Sequence, residues 1–124
     1  MSALATADWA VVNGRVLAAF GPVLILTGIA GFLMPPRLAL MSGAPAYNIF
    51  HIVFGIVGTA LVLAKSARGV AAFNLAFGAG DLYQAIAGIG GFFPARQFRY
   101  KPADHVVHVV LGLGLVGVGW MGSR

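Results

Sequence analysis

The sequence predicts an all-α integral membrane protein, organised as a four-helix bundle of two duplicated transmembrane hairpins. Three observations predict this fold. Of the 124 residues, 60% are hydrophobic and only 9% are charged, with a mean hydropathy of +0.92, whereas a soluble domain carries about 25% charged residues. Four apolar stretches are long enough to span a bilayer, which takes about 20 residues per helix. A short histidine motif occurs in the second stretch and again in the fourth.

The four predicted spans lie within a single domain, 1–124. Their expected ranges are about 16–34, 46–64, 69–93 and 104–121. Prolines stand at the proposed ends, where the lost backbone N–H costs least: Pro35, Pro36, Pro94 and Pro102. The chain is therefore expected to be a multi-pass protein in contact with the lipid bilayer, with short connections and no separate soluble domain.

An internal repeat relates the first two spans to the last two. "TGIAGFLMPPR" (27–37) resembles "AGIGGFFPAR" (87–96), which aligns Gly28 with Gly88. "NIFHIVFG" (48–55) matches "HVVHVVLG" (105–112), which aligns His51 with His108. Each half contains two spans, so both halves would share one membrane orientation, related by a pseudo-twofold axis along the membrane normal.

The charges exclude some functions and leave the orientation open. The net charge is +5, but the cations lie at the ends of apolar runs, which indicates membrane-surface contact and no nucleic acid partner. The absence of cysteine excludes disulfides and thiolate chemistry. Basic residues are balanced four against four between the two sides, so the positive-inside rule gives no preference. The two groups are Arg15, Lys65, Arg68 and Arg124, and Arg37, Arg96, Arg99 and Lys101.

Small residues define the helix faces that are expected to meet other helices, because membrane helices associate where their backbones can approach. His51 lies one turn from Gly55, and His108 lies one turn from Gly112. The third span has a stripe at four-residue spacing: Ala72, Ala76, Gly80, Gln84 and Gly88. These Gly-rich faces predict packing within the bundle and against other membrane subunits.

His51 and His108 are the candidate cofactor-binding residues, and two interpretations stay open. Paired imidazoles inside a four-helix bundle could ligate a haem iron or the magnesium of a bacteriochlorophyll. Alternatively, each histidine is a structural residue hydrogen-bonded to Asn48, Asp104 or a backbone carbonyl. The structural interpretation is favoured, and the cofactor stays unknown.

Asp104, His105 and His108 form a D-H-x-x-H motif at the start of the fourth span. Together with His51, these side chains match the number of ligands that zinc or copper takes. However, an acid at a helix N-terminus caps free N–H groups and complements the helix dipole without any metal. We therefore predict a structural role for Asp104 and His105 and no metal site.

Asp81 stands near the middle of the third span, where a charge is costly and an acid usually has a function. Gln84 lies one turn along. The sequence favours a protonated Asp81 hydrogen-bonded to a neighbouring helix or to a partner subunit, and ion transport is the alternative. Asn48 and Asn74 are expected to hydrogen-bond between helices. Aromatic residues near the span ends are expected at the membrane interface: Trp9, Tyr47, Tyr100 and Trp120.

The pattern N-x-x-H, G-x-x-Y, D-x-x-x-H carries a family resemblance. It is formed by Asn48 with His51, by Gly80 with Tyr83, and by Asp104 with His108. In these positions the chain resembles small four-span bacterial membrane proteins that are grouped under a domain of unknown function. The resemblance implies a four-helix fold in the bacterial inner membrane and no particular activity.

The expected function is non-enzymatic. The chain has three acids and shows no nucleophile, base and acid set, so general acid–base machinery is lacking. The leading interpretation is an accessory or scaffold subunit of a larger membrane complex, for example a respiratory or photosynthetic one. A haem- or chlorin-binding redox or pigment protein is the first alternative, and a small channel or transporter using Asp81 is the second.

Overall fold

The computed structural model describes residues 7–124, and every regular element within that range is helical. The bounds are α1 Trp9–Leu33, a 3₁₀ turn Pro36–Leu38, α2 Pro45–Leu63, α3 Ala67–Gly90, α4 Ala95–Phe98 and α5 Pro102–Ser123. The prediction of an all-α chain is confirmed. Each of the four long helices covers one of the predicted apolar stretches.

Residues at the helix starts explain these bounds. Asp8 caps α1, because its side chain accepts the backbone N–H groups of Ala10 at 3.1 Å and Val11 at 3.3 Å. For this reason α1 begins well before the expected start of the first span. Pro45 and Pro102 occupy the first positions of α2 and α5, where a missing N–H leaves no helical bond unmade.

The four long helices form two hairpins. α1 packs mainly against α2, and α3 packs mainly against α5. A Cβ atom on Gly55 would lie 2.7 Å from the carbonyl oxygen of Gly21, and one on Gly112 would lie 3.0 Å from that of Gly78. A larger residue at either position would therefore push the paired helices apart. Small residues that permit such close approach are typical of membrane helix pairs.

The two hairpins have the same internal dimensions. α1 ends at Leu33 and α3 ends at Gly90, while α2 begins at Pro45 and α5 begins at Pro102. Both pairs of positions are 57 residues apart, so the connection within each hairpin has the same length. We call residues 34–44 the first connection and residues 91–101 the last connection.

The packing contacts also repeat at a separation of 57 residues. Gly31 faces the side chain of Asn48 in the first hairpin, and Gly88 faces His105 in the second. The expected alignment, in which Gly28 corresponds to Gly88, is therefore displaced by three residues from the alignment that the packing gives. The duplication itself stays a prediction, now with one uniform register to be tested.

An apolar core lies where the two hairpins meet. Leu24 of α1, Phe77 of α3 and Leu115 of α5 are buried at its centre. Partly buried side chains surround them: Val16, Phe20, Phe50, Phe73 and Leu111. Along α3, Phe77 lies between Asn74 and Asp81, so the core separates the polar side chains nearer the chain termini from those nearer the first and last connections.

Within residues 7–124, three helices are long and apolar enough to cross a membrane, namely α1, α2 and α5. These helices agree with the prediction of a membrane protein, but their number is three where the sequence predicts four spans. α3 has 24 residues, and it is less apolar because it carries Asn74, Asp81 and Gln84. These three side chains are buried, so the outward face of α3 is more apolar than its average composition.

The expected small-residue stripe of α3 does not meet the helices of this chain along its whole length. Ala72 and Ala76 are exposed, and the close contact with α5 is made by Gly78 instead. The outward side of this stripe borders a groove of about 220 Å³ between α2 and α3, which we call the outer aromatic groove. Its lining residues are Phe50, Phe54, Phe73, Ala76, Phe77, Gly80 and Gln84.

Candidate functional site

A buried hydrogen-bond network joins α2 and α5 at the end where both helices begin. The Tyr47 hydroxyl lies 2.6 Å from Nε2 of His108 and 3.3 Å from Oδ1 of Asp104. Tyr47 and Asp104 have no exposed surface. A carboxylate can only accept, so every bond is satisfied when Tyr47 donates to Asp104 and accepts from the Nε2–H of His108. This assignment leaves Nδ1 of His108 as a bare acceptor.

Asp104 also holds the first and last connections together. Its Oδ2 accepts the backbone N–H groups of Ser42 at 2.9 Å and Lys101 at 2.7 Å. The Ser42 hydroxyl donates to the carbonyl of Phe98, and the Lys101 ammonium donates to two carbonyls of the first connection. The expected capping role of Asp104 at the start of α5 is therefore observed, and its second bond extends to the other hairpin.

The two histidines of the repeated motif are buried beside this network. His51 is 6% exposed and His108 is 3% exposed. The Tyr47 ring stands close to both, with ring centres 4.1 Å from His51 and 6.0 Å from His108. The sequence predicts Asn48, Asp104 or a carbonyl as their partners, whereas the structure pairs His108 with Tyr47. Tyr47 is expected in the aromatic belt at the membrane interface, and the structure buries it within the bundle, in the first turn of α2.

A cavity of about 160 Å³ lies between the hairpins beside these side chains. We call it the inter-hairpin cavity. Tyr47, His51, Asp81 and His108 form its polar wall, and the other lining residues are Phe20, Val23, Leu24, Thr27, Met41, Phe77, Val107 and Leu111. Three buried atoms of the polar wall have no hydrogen-bond partner within the protein: Nδ1 of His51, Nδ1 of His108 and Oδ2 of Asp81.

Asp81 is joined to the last connection through two polar side chains. The Gln84 amide donates to Oδ1 of Asp81 at 3.4 Å, and the Tyr100 hydroxyl donates to Oε1 of Gln84 at 2.8 Å. Burial raises the pKa of the Tyr100 phenol, and the nearby Asp104 carboxylate raises it further, so this phenol stays a donor. The sequence predicts a bond from Asp81 to another helix, whereas Gln84 lies on the same helix.

The two asparagines act away from the cavity. The Asn74 amide donates to Oδ1 of Asn13 at 2.9 Å, and the Asn13 amide donates to carbonyls of α1 and α5 at 2.7 and 2.8 Å. Asn74 therefore bonds between helices as expected. The Asn48 amide instead donates to the carbonyl of Gly43, at 2.8 Å, in the first connection. The expectation of an interhelical bond from Asn48 is corrected accordingly.

The D-H-x-x-H motif does not assemble a metal site. His105 packs against Gly88 and Tyr100 and does not line the inter-hairpin cavity. Asp104 is engaged by backbone N–H groups and His108 by Tyr47. In the part of the chain from residue 7 onward, no group of three His, Cys, Asp or Glu side chains is placed to hold a metal ion.

The residues present do not fit a haem or a bacteriochlorophyll between His51 and His108. The cavity measures about 160 Å³, whereas pockets for drug-sized ligands measure about 300–1,000 Å³ and both cofactors exceed such ligands in size. In addition, Nε2 of His108 is bonded to the Tyr47 hydroxyl. The geometry therefore gives no support to paired axial ligation.

Sequence reasoning missed Tyr47 and Ser42 as parts of the site. Tyr47 precedes His51 by four residues, and this spacing places both on one helix face, so the pattern contained a usable signal. Ser42 lies in a connection, and nothing in the sequence indicates that its backbone N–H meets a carboxylate 62 positions later.

No family model matches the chain, and no curated protein or solved structure is measurably similar to it. The resemblance to four-span bacterial proteins therefore stays a prediction. Among its pattern positions, His51, Asp104 and His108 belong to the buried region described above. Tyr83 is separate, since it is half exposed and donates to the carbonyl of Phe93 at 2.6 Å.

Proposed function

We propose that this chain is a small non-enzymatic membrane protein with four spans, which acts as an accessory subunit of a larger membrane complex such as a respiratory or photosynthetic one. One observation carries the proposal. Large hydrophobic side chains are exposed on all four long helices, for example Leu26, Ile56, Ile86 and Val110, while the polar side chains in the middle of the helices, such as Asn74 and Asp81, are buried. The surface available for contact with lipid or with another membrane protein is therefore mainly the apolar sides of the helices.

The path of the chain supports α3 as the fourth span. α2 and α5 are both candidate spans, and both begin at the end of the molecule that contains the network of Tyr47 and Asp104. The chain must return to that end between them, and α3 is the helix that does so. At 1.5 Å per residue, its 24 residues extend over about 36 Å, which exceeds a hydrocarbon core of about 30 Å.

The common register of the hairpins supports duplication. Two hairpins with equal connections and matching glycine contacts are expected if a two-span unit was copied, and two spans per unit keep both copies in one orientation. The resemblance noted in the sequence favours the bacterial inner membrane as the location.

The interior supports a non-enzymatic role. Asp104 is bonded to three donors, and His108 is bonded to Tyr47, so neither is free to transfer a proton to a substrate. Within residues 7–124, the apolar core around Phe77 separates Asp81 from Asn74, so the described part of the chain offers no continuous polar path for ions. The channel alternative therefore has less support than the accessory role.

Gly80, an outward glycine beside the outer aromatic groove, supports lateral contact with a partner. A Cβ on Gly80 or Gly114 would meet nothing within 4 Å, so the fold itself does not need glycine at either position. Gly80 lines the outer aromatic groove between α2 and α3. A small residue at this position keeps the groove open for a side chain of a neighbouring subunit.

The test is purification of the tagged full-length chain from membranes of its native host in mild detergent. We expect larger membrane subunits at constant stoichiometry with the wild-type chain. Gly80→Leu should lower that yield because leucine fills the groove, while helix content and thermal stability stay unchanged.

Gly114→Leu is the matched control, since it adds the same side chain on α5 outside the groove and should leave the yield unchanged. A wild-type chain that purifies alone, in a single defined oligomeric state, would overturn the accessory role. An absorption band of haem or chlorin in the purified protein would instead revive the pigment alternative.

A further inference from the structure

The inter-hairpin cavity has a property that the accessory role does not use. Its three unpartnered atoms belong to His51, Asp81 and His108, which are 6%, 3% and 3% exposed. Leaving a buried polar atom without a partner costs free energy, and native proteins do so rarely. Of the seven such atoms in residues 7–124, three belong to residues that line this one cavity, which makes it the place in the fold that most favours a polar occupant.

The volume limits the occupant to something small. At roughly 30 Å³ per water molecule, a cavity of about 160 Å³ holds about five waters, or a small ion with its hydration water. The wall also contains the aromatic rings of Phe20, Phe77 and Tyr47, whose faces attract cations.

The charges in the wall determine the sign of the occupant. Asp81 is the one acid of the wall, and no lysine or arginine lines the cavity. From α2 the titratable groups that face the cavity are Tyr47 and His51, and from α5 the one such group is His108. α1 contributes none. An isolated carboxylate in a membrane interior is costly, so a positive occupant, or the proton itself, is required beside Asp81.

The free atoms also determine the bonding of the occupant. The bond from Nε2 of His108 to Tyr47 leaves Nδ1 of His108 as an acceptor, and Oδ2 of Asp81 is an acceptor as well. A positive occupant between these atoms must therefore donate hydrogen bonds. Hard metal cations prefer six or more oxygen ligands, which this wall does not supply.

The cavity adjoins the surface near the first connection. Thr27 and Met41 line the cavity and also line a larger surface groove of about 350 Å³ along that connection. On the opposite side the cavity borders the apolar core, where Phe20 and Phe77 meet edge to face with ring centres 5.5 Å apart. The groove at Met41 therefore offers a small ion a way in from the polar end of the molecule.

We propose that the inter-hairpin cavity binds a small cationic hydrogen-bond donor, either a hydrated proton or an ammonium ion. Asp81 supplies the counter-charge, and Nδ1 of His108 accepts a hydrogen bond. When ammonium enters a site whose Asp81 is protonated, the carboxyl proton is released to water and the ammonium takes its place, so the charge of the site is conserved. This inference goes beyond the accessory role and does not depend on it.

The experiment uses the full-length chain in lipid nanodiscs with ¹⁵N-labelled histidine. Ammonium chloride and sodium chloride are added in separate titrations, in which a salt of a cation too large for the cavity keeps the ionic strength constant, and pH is varied separately. The imidazole ¹⁵N signals of His51 and His108 are followed, with His105 as the control outside the cavity. The infrared C=O band of protonated Asp81 is identified by its loss in Asp81→Asn.

A saturable ammonium-specific shift of His51 and His108, with loss of the Asp81 band, establishes ammonium as the ligand. The proton is established as the ligand if ammonium has no effect, while the Asp81 C=O band and the imidazole signals of His51 and His108 titrate together with pH. Asp81→Asn should weaken ammonium binding at least about 100-fold, as expected when one partner of a buried ion pair is removed. Asp8→Asn, the same substitution at the α1 cap, should leave binding unchanged.

Two results would overturn the proposal, and both come from the unsubstituted protein. One is a set of histidine signals and an Asp81 band that respond to neither ammonium nor pH. The other is an equal response to sodium, because sodium donates no hydrogen bond. Neither result depends on whether the chain copurifies with other subunits.

Discussion

Tyr47 connects groups that are costly to bury separately. Its hydroxyl reaches both Asp104 and His108, and its ring packs on His51 at a centre distance of 4.1 Å. A phenol can do this because it donates one hydrogen bond and also accepts one. The network thereby favours the His108 tautomer in which Nε2 carries the hydrogen, so one structural side chain controls the chemistry of the neighbouring site.

Tyr47→Phe tests this role. Phenylalanine keeps the ring but removes the hydroxyl, which leaves Oδ1 of Asp104 and Nε2 of His108 without their partner in a buried site. We expect the free energy of unfolding to fall by about 1–3 kcal/mol, measured by reversible detergent unfolding followed by circular dichroism. Tyr83→Phe is the control. Its hydroxyl is also bonded, but the residue is 47% exposed, and equal losses for the two variants would contradict the role of Tyr47.

At the scale of helices, glycine contacts determine how closely each hairpin can close. Gly55 meets the backbone of α1 at Gly21, and Gly112 meets the backbone of α3 at Gly78. In water, apolar burial could compensate for a wider gap, but lipid gives helices little hydrophobic drive to associate. Close backbone approach at these glycines is therefore expected to contribute to hairpin stability in a membrane.

Gly55→Ala and Gly112→Ala test the common register of the hairpins. The added Cβ would lie 2.7 Å from a carbonyl oxygen in the first case and 3.0 Å in the second, so each variant should lose about 1–3 kcal/mol of unfolding free energy. Gly114→Ala should not lower it, because nothing lies near its Cβ and alanine has the higher helix propensity by about 1 kcal/mol. A loss in one hairpin alone would show that the two contacts are not equivalent.

The long helices were predictable because a span is a local property of the sequence, namely some 20 apolar residues in a row. The start of α1 was less predictable than its length, since the helix begins where the side chain of Asp8 caps it. The sequence predicts a repeat, but with a register in the first half that differs by three residues from the positions that pack alike, because similar Gly-Phe segments occur three residues away from them. Gly31 packs on Asn48, and this contact between two helices cannot be found by comparing short stretches of sequence.

The candidate site was predictable only in part. The four-residue spacing from His51 to Gly55 correctly indicated an inward face. The partners were not predictable, because Tyr47 and His108 are 61 positions apart, and their meeting depends on how both connections fold. The inter-hairpin cavity belongs to four helices at once, so it has no signature within any one of them.

The end of the helix bundle that contains the first and last connections has more polar contacts than the opposite end. The first and last connections are bonded to each other through Ser42, Lys101 and Asp104, and the cavity adjoins that end at Met41. The other end contributes the Asn13–Asn74 pair, which is bonded internally. In the proposed four-span arrangement, both connections lie on the same side of the membrane and α3 crosses it.

The chain contains no cysteine, so single cysteines can report the side of each connection without background labelling. We expect Leu40→Cys and Gln97→Cys to react with a membrane-impermeant maleimide from one side, and Arg68→Cys and Ser123→Cys from the other. All four residues are exposed. Arg68 lies at the start of α3 and Gln97 lies beyond its end. Labelling at these two positions therefore shows whether α3 crosses the membrane. If both react from the same side, α3 does not cross, and the bonds of Asp104 to both connections could not form in the membrane.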